Sequence, residues 1–283
     1  MDAKEHIVTM PNGRRLAGSS YGPENGRPVL FVAGAATGRA MRFGERDLMT
    51  RGIRLLTLDR PGMGSSSEDE GRNIQTTAED YRFFVHSVAG RAAAALPVVA
   101  NSQGSVFGLG AAIAGLSSRL ILVSPADEVA HPRIREMLPP HAAALVDLVA
   151  KDPMAATGEL SRFTPQAMEE MVVGGASDRD RRVYQSPDFI DMYRRSLDEG
   201  FANRGVGYVR DTLIAMRPWG LPLADITCPV DILVGEADFG HSPDLAETLA
   251  TRIPTATRKL IANAGGALLW EHADTVFRHA LKE

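Results

Sequence analysis

A single cysteine, Cys228, stands in the chain. No internal disulfide can form, and the expected compartment is a reducing one, the cytoplasm. Cys228 precedes Pro229 at a strand entrance, where a small buried residue is its plainest role. An excess of one charge is lacking too. The balance of 31 Lys and Arg against 35 Asp and Glu leaves -4, which gives no basic face for nucleic acid. Met1 to Met10 carry Asp2, Lys4, Glu5 and His6 instead of the apolar stretch of a secretory signal. The long uncharged run from Ala92 to Ser118 is broken by Pro97 and by Asn101-Ser102-Gln103, so it does not predict a membrane span. Repeats and low-complexity tracts are missing as well. What remains is a soluble globular composition, and 283 residues suffice for one large domain with an insertion.

Within it, one stretch organises the rest: Pro97-Val98-Val99-Ala100-Asn101-Ser102-Gln103-Gly104-Ser105, followed by the small-residue run Val106 to Ala112. Adjacent valines predict a buried strand, and the run after them a helix. A strand that reverses directly into a helix tolerates only small neighbours, here Ala100 and Gly104, and lifts the serine at its apex above the sheet. Ser102 is the candidate nucleophile.

Taken in order, residues 5–10 and 15–21 read as strands joined at Pro11-Asn12-Gly13. Pro28 to Val32 and Ile53 to Leu58 are buried strands, with a helix from about Ala40 to Met49 between them. Thr76 and Glu79 have capping-box spacing at the head of the next helix. Arg119 to Val123 follows as another strand, and alternation resumes with Pro229 to Val234 and a helix from Pro243 to Arg252. Arg258 to Ala262 is the last strand, and Leu268 to Leu281 a closing helix. Apolar strands alternating with helices predict an α/β fold with a mostly parallel sheet covered on both faces. Between Pro125 and Ile226 the periodicity is helical, and Thr164-Pro165 and Ser186-Pro187 each place a cap residue before a first-turn proline. The expected organisation is an α/β core over 1–125 and 227–283, with a helical cap over 126–226 inserted after the sixth strand.

Acyl transfer to serine needs a base for its proton, an acid to orient the base, and donors for the oxyanion. The backbone N–H of Gln103 is one expected donor. The other is that of Ala35, in the loop Ala33-Gly34-Ala35-Ala36-Thr37-Gly38 after the third strand. The acid is expected at Asp238, in Gly235-Glu236-Ala237-Asp238 at a strand end, with Asp127 the alternative from a neighbouring strand. Asp238-Phe239-Gly240 also spells a kinase magnesium motif, but no glycine-rich nucleotide loop or His-Arg-Asp accompanies it.

Ala-Asn-Ser102-Gln-Gly, Asp59-Arg-Pro-Gly-Met-Gly-Ser and the stretch Pro229 to Asp238 together resemble the α/β-hydrolase fold superfamily, its lidded bacterial serine esterases in particular. The resemblance covers nearly the whole chain. It implies an eight-stranded sheet, a Ser-Asp-His triad, and neither metal nor cofactor. Two departures stand out. The usual His-Gly after the third strand is Ala33-Gly34, which bears on loop shape. The Asn-Ala-Gly-His stretch before the last helix reads Asn263-Ala264-Gly265-Gly266, so the base position holds Gly266 and has no side chain.

Other histidines offer few substitutes. His272 lies six residues on, about 9 Å along a helix at ~1.5 Å per residue, and its simplest role is helical. His241 would have to swing in from the acid's own loop. His86 sits on a packed helix, His131 and His141 in the insertion without metal-ligand spacing, and His6 and His279 near the ends. On this reading turnover falls by roughly a millionfold while binding survives. Met137, Met154, Met168, Met171, Met192 and Met216, with Phe189, Tyr193, Phe201, Tyr208 and Trp219, suit an apolar cavity in the insertion and hence an apolar small-molecule substrate. The favoured function is therefore a serine hydrolase of an ester, lactone or thioester, impaired at its base. The alternative is a non-hydrolytic relative that binds a ligand or runs an isomerase, lyase or cyclase step.

Overall fold

The computed structural model describes residues 3–90 and 94–282. Met1 and Asp2, and Ala92 and Ala93 of the uncharged run, lie outside the described residues. Eight strands form one sheet: β1 (Lys4–Thr9), β2 (Arg15–Tyr21), β3 (Arg27–Val32), β4 (Ile53–Leu58), β5 (Leu96–Ser102), β6 (Ser117–Pro125), β7 (Val230–Gly235) and β8 (Ala256–Ile261). Their spatial order is β1-β2-β4-β3-β5-β6-β7-β8. β1 and β2 pair antiparallel, β2 joins β4 antiparallel, and every later pairing is parallel. This is the expected α/β architecture.

Strand alternation sorts the core between the two faces. On β3, Val29 and Phe31 enter one buried cluster while Leu30 and Val32 enter the other. On β6, Ile121 and Val123 part from Leu120 and Leu122 in the same way. A strand buried on both sides has no polar face, which is why these segments read as continuous apolar runs.

Helix ends differ from the sequence reading in four places, each for a local reason. The helix expected from Ala40 is confined to Glu45–Thr50, because Gly44 precedes it in a left-handed conformation (φ 66°). The helix Ile74–Ala89 begins earlier than expected, since Asn73 is its cap and Thr76 the reciprocal partner, displacing the Thr76–Glu79 box. The segment from Pro243 yields only Glu247–Thr251, because Leu245 and Ala246 adopt positive φ of 57° and 62°. The closing helix is broken at His272 (φ -121°, ψ 34°) into Leu268–Glu271 and Ala273–Leu281.

Between β6 and β7 the described chain forms helices and no strand; the longer ones are Pro140–Lys151, Pro153–Leu160, Pro187–Gly200 and Val206–Met216. Thr164 accepts from the Ala167 N–H as a cap, whereas Ser186 makes no side-chain cap bond. A π-helical turn, Glu170–Gly174, lies within the segment. A buried ion cluster fastens these helices to the sheet domain: Asp211 on Val206–Met216 bonds both Arg60 and Arg72, and all three side chains are at most 1% exposed. No helix of the described residues is long and apolar enough to cross a membrane.

Candidate active site

Ser102 ends β5, the strand between β3 and β6 near the middle of the sheet, and has φ 51°. A non-glycine residue held left-handed costs about 1–2 kcal/mol, so the surrounding packing must enforce it. The small neighbours explain how. A Cβ at Gly104 would lie 2.4 Å from the Val32 carbonyl oxygen and 2.5 Å from that of Ala33, and one at Gly34 would lie 3.2 Å from the Ser102 Cβ. Farther along the helix, a Cβ on Gly108 would lie 2.6 Å from the Ala100 Cβ. The helix Gly104–Ile113 therefore presses on β3 and β5 at a distance that larger residues forbid.

The loop after β3 passes beside this apex, and its Ala35 N–H donates to no acceptor among the described residues; the same is true of Gln103. Both expected oxyanion donors are thus unspent at the head of the Gly104 helix, where the helix dipole adds positive potential. Arg60 shapes the loop from below. Its Nη1 and Nη2 donate to the Ala33 and Gly34 carbonyls, each at 2.9 Å, and its guanidinium lies 5.2 Å from the Phe107 ring centroid. Arg60 thus grips the backbone at Ala33 and Gly34 and fixes the shape of the loop there.

Asp238 follows β7 and is 3% exposed. Its Oδ1 meets His241 Nδ1 at 2.8 Å, and the His241 backbone N–H approaches the same oxygen at 3.4 Å. Burial works against charge on both partners. The attraction and hydrogen bond between them outweigh it, holding the Asp238 carboxyl below its ordinary range and raising the imidazole above its own. Asp127, the alternative acid, serves elsewhere: it accepts from the Ser242 hydroxyl, both groups being buried, and burial pushes its carboxyl up to about 6.

Ser102, Asp238, Ala35 and Gly266 line one cavity of about 460 Å³, and His241 lines it with them. Gly266 does lack a side chain, but the space above it is filled. A Cβ built there would sit 3.0 Å from His241 Cε1 and 3.2 Å from its Nδ1. The other histidines are not among the lining residues. His6 Nε2 lies 2.9 Å from the Ser20 hydroxyl, His131 precedes the helix Pro132–Met137, and His279 Nδ1 lies 3.3 Å from Asp231. His272 Nε2 is 3.9 Å from Glu271, and His86 and His141 remain on their helices.

Among the six methionines of the insertion, buried Met168 and exposed Met171 line the cavity, while Met137 and Met154 are exposed and do not line it. Phe189 and Tyr193 line it as expected; Trp219 packs in the opposite core, and Phe201 packs tilted against Tyr208 with ring centroids 4.8 Å apart. Met41, Tyr184 and Trp270 complete the wall and were not singled out from sequence. Trp270 sits 5.0 Å from Phe189 and 5.9 Å from Tyr184, an aromatic corner assembled from two distant segments. Asp180 is also in the lining, held by the Ser177 hydroxyl and the Ala267 N–H.

Residues 29–279 match the model of the alpha/beta hydrolase family. The chain belongs to that family. Solved structures agree on the fold. An esterase from Thermogutta terrifontis is 20% identical at TM-score 0.69, covering 100% of this chain and 97% of its own. An enol-lactonase from Burkholderia xenovorans LB400 is 19% identical at TM-score 0.69, covering 98% and 100%. An epoxide hydrolase mutant from Bacillus megaterium is 17% identical at TM-score 0.71, covering 98% and 100%. No curated protein matches the chain.

Proposed function

We propose that this alpha/beta hydrolase is a serine hydrolase of carboxylic esters, lactones or thioesters with an apolar acyl or aromatic part. One observation carries the reading: Ser102 is held at φ 51° in the wall of the cavity, beside the undonated N–H groups of Ala35 and Gln103. Attack on an acyl carbon puts negative charge on the carbonyl oxygen, and paired backbone donors stabilise that charge. The ester and lactone chemistry named for two structural neighbours fits a serine better than the epoxide chemistry named for a third. Serine opening an epoxide leaves an ether with no carbonyl, which water cannot release by the same route.

In this reading residues 126–226 act as a cap over a core of 1–125 and 227–283. Met41, Met168, Met171, Val172, Phe189 and Trp270 supply apolar surface for the substrate. Asp180 and Asp238 line the cavity and no Lys or Arg accompanies them there, which disfavours anionic substrates. Position 266 has no side chain, so turnover rests on whichever group takes the Ser102 proton.

The test is a panel of 4-nitrophenyl acetate, octanoate and benzoate and a γ-lactone, assayed on the wild type and on Ser102→Ala. Release that requires Ser102 and favours octanoate or benzoate over acetate supports the proposal. Preference for short polar esters contradicts the apolar-site assignment. Absence of any Ser102-dependent release favours a non-hydrolytic use of the cavity, in binding or in an isomerase, lyase or cyclase step.

A further inference from the structure

Gly266 invites the question of why a glycine stands there. Its backbone is outside the left-handed region, so conformation does not demand one. Space does. Any Cβ would press on two atoms of the His241 ring, 3.0 and 3.2 Å away, and would lie 3.4 Å from Asp238 Oδ1. Bare backbone and bulky ring are complementary, and they meet where a side chain on residue 266 would otherwise face the acid.

The topology allows this exchange. β7 and β8 are paired neighbours, with Gly235 opposite Ile261 at their last register position. The two loops leaving them are stitched together by the Glu236 N–H to the Ile261 carbonyl and the Ala237 N–H to the Ala264 carbonyl, each at 3.1 Å. A ring at one point in the cleft can therefore be supplied from either loop. The His241 loop is anchored on both sides of the ring, by Asp238 before it and by the buried Ser242–Asp127 bond after it. With Nδ1 engaged by Asp238, the opposite nitrogen Nε2 has no partner among the described residues, and neither has the Ser102 hydroxyl. Both residues line the same cavity, and hydrogen bonds of this kind are often loose until substrate closes the site.

We propose that His241, carried on the acid's own loop, is the general base for Ser102, and that Gly266 makes room for its ring; this rests on the serine-hydrolase reading above. As Ser102 Oγ bonds to the acyl carbon, its proton passes to His241 Nε2 and the carbonyl oxygen becomes the oxyanion facing Ala35 and Gln103. The proton then goes to the departing alkoxide or thiolate as its bond to carbon breaks, leaving acyl-Ser102. A water molecule attacks that carbon and yields one proton to His241. When the Ser102–acyl bond breaks, the proton returns to Oγ and the carboxylic acid leaves. Asp238 keeps the ring in the tautomer with Nδ1 protonated throughout.

The titratable groups that line the cavity with this ring are Asp238 on its own loop, Asp180 and Tyr184 of the helix Asp178–Tyr184, and Tyr193 of the helix Pro187–Gly200. Both carboxylates favour the charged ring, and burial opposes them. The acid limb of the rate profile belongs above the ordinary histidine value of about 6.5, and Asp180→Asn moves it to lower pH.

The experiment measures the rate of Ser102 labelling by a fluorophosphonate in the full chain, compared with His241→Ala and His241→Gln. Loss of at least about 10⁴-fold in both variants is expected, because glutamine can bond Asp238 but cannot accept the proton. Added imidazole should recover part of the rate in His241→Ala and none in Ser102→Ala. Wild-type rates in both variants overturn the assignment and leave the hydrolase reading standing. Recovery in His241→Gln alone shows a purely structural role and also overturns it. A wild type whose Ser102 never labels refutes the hydrolase reading and the base together.

Discussion

The two sides of the cleft are built on different principles. On the Ser102 side, geometry is imposed by backbone contact: Gly104 against the Val32 and Ala33 carbonyls, Gly34 against Ser102, and Arg60 gripping the loop. Nothing there can move to another position without unpacking the sheet. On the side of β7 and β8 the proposed mechanism requires only that an imidazole occupy one point next to Asp238. Two stitched loops reach that point, and here His241 fills the space above a bare Gly266. Close packing fixes residue positions, whereas a freely projecting ring fixes only a place in space.

The contrast is broken most severely at its fixed end. Ser102→Ala should lower ester turnover by about 10⁵–10⁶-fold, read as kcat on the best ester of the panel. Ser102→Gly should be equally inactive yet about 1 kcal/mol more stable in urea titration, since glycine relieves the left-handed strain. A smaller loss is expected at the clamp beneath the loop. Asp211→Ala leaves Arg60 and Arg72 buried without their shared carboxylate, which should cost about 3–5 kcal/mol of stability and be visible as a fall in the urea midpoint.

The interchangeable side should answer differently. Gly266→Val adds carbon where the His241 ring lies, and kcat should fall by about 100-fold, ~2.7 kcal/mol, with little change in the folded spectrum. Tolerance of valine at full activity would show that the ring is not needed there. The mildest effect concerns Asp127. Its folded-state carboxyl titrates near 6, above the unfolded value, so the native state binds the extra proton and loses stability as pH rises through that range. Asp127→Asn should abolish this loss, gaining about 1–3 kcal/mol at pH 8 and nothing at pH 3, by urea titration at both pH values.

The geometry around Ser102 was legible in the sequence because its constraints are local. A strand, a serine and a glycine within a few residues carry the whole argument for Ser102, Gln103 and Gly104. The place of Asp238 in the cavity wall was legible for a similar reason, at the end of an apolar strand. Which loop delivers the ring was not, since it depends on β7 and β8 lying side by side, a tertiary fact. A signal was present nonetheless: Asp238 and His241 are three residues apart with Gly240 between them, and the other loop offers only Gly266. Tyr184 and Trp270 escaped for a related reason, being brought together with Phe189 from segments far apart in the chain. The over-long helices at Ala40 and Pro243 failed where Gly44, Leu245 and Ala246 take positive φ, which apolar periodicity does not register.

The most direct test of the account is to move the ring back across the cleft. In the double variant His241→Ala/Gly266→His, the imidazole projects from the β8 loop into the space that the first substitution clears. The account predicts that kcat/KM on 4-nitrophenyl octanoate, lost in His241→Ala, recovers by at least about 100-fold in the double variant. Wild-type activity in His241→Ala, or a double variant as inert as the single one, would contradict it.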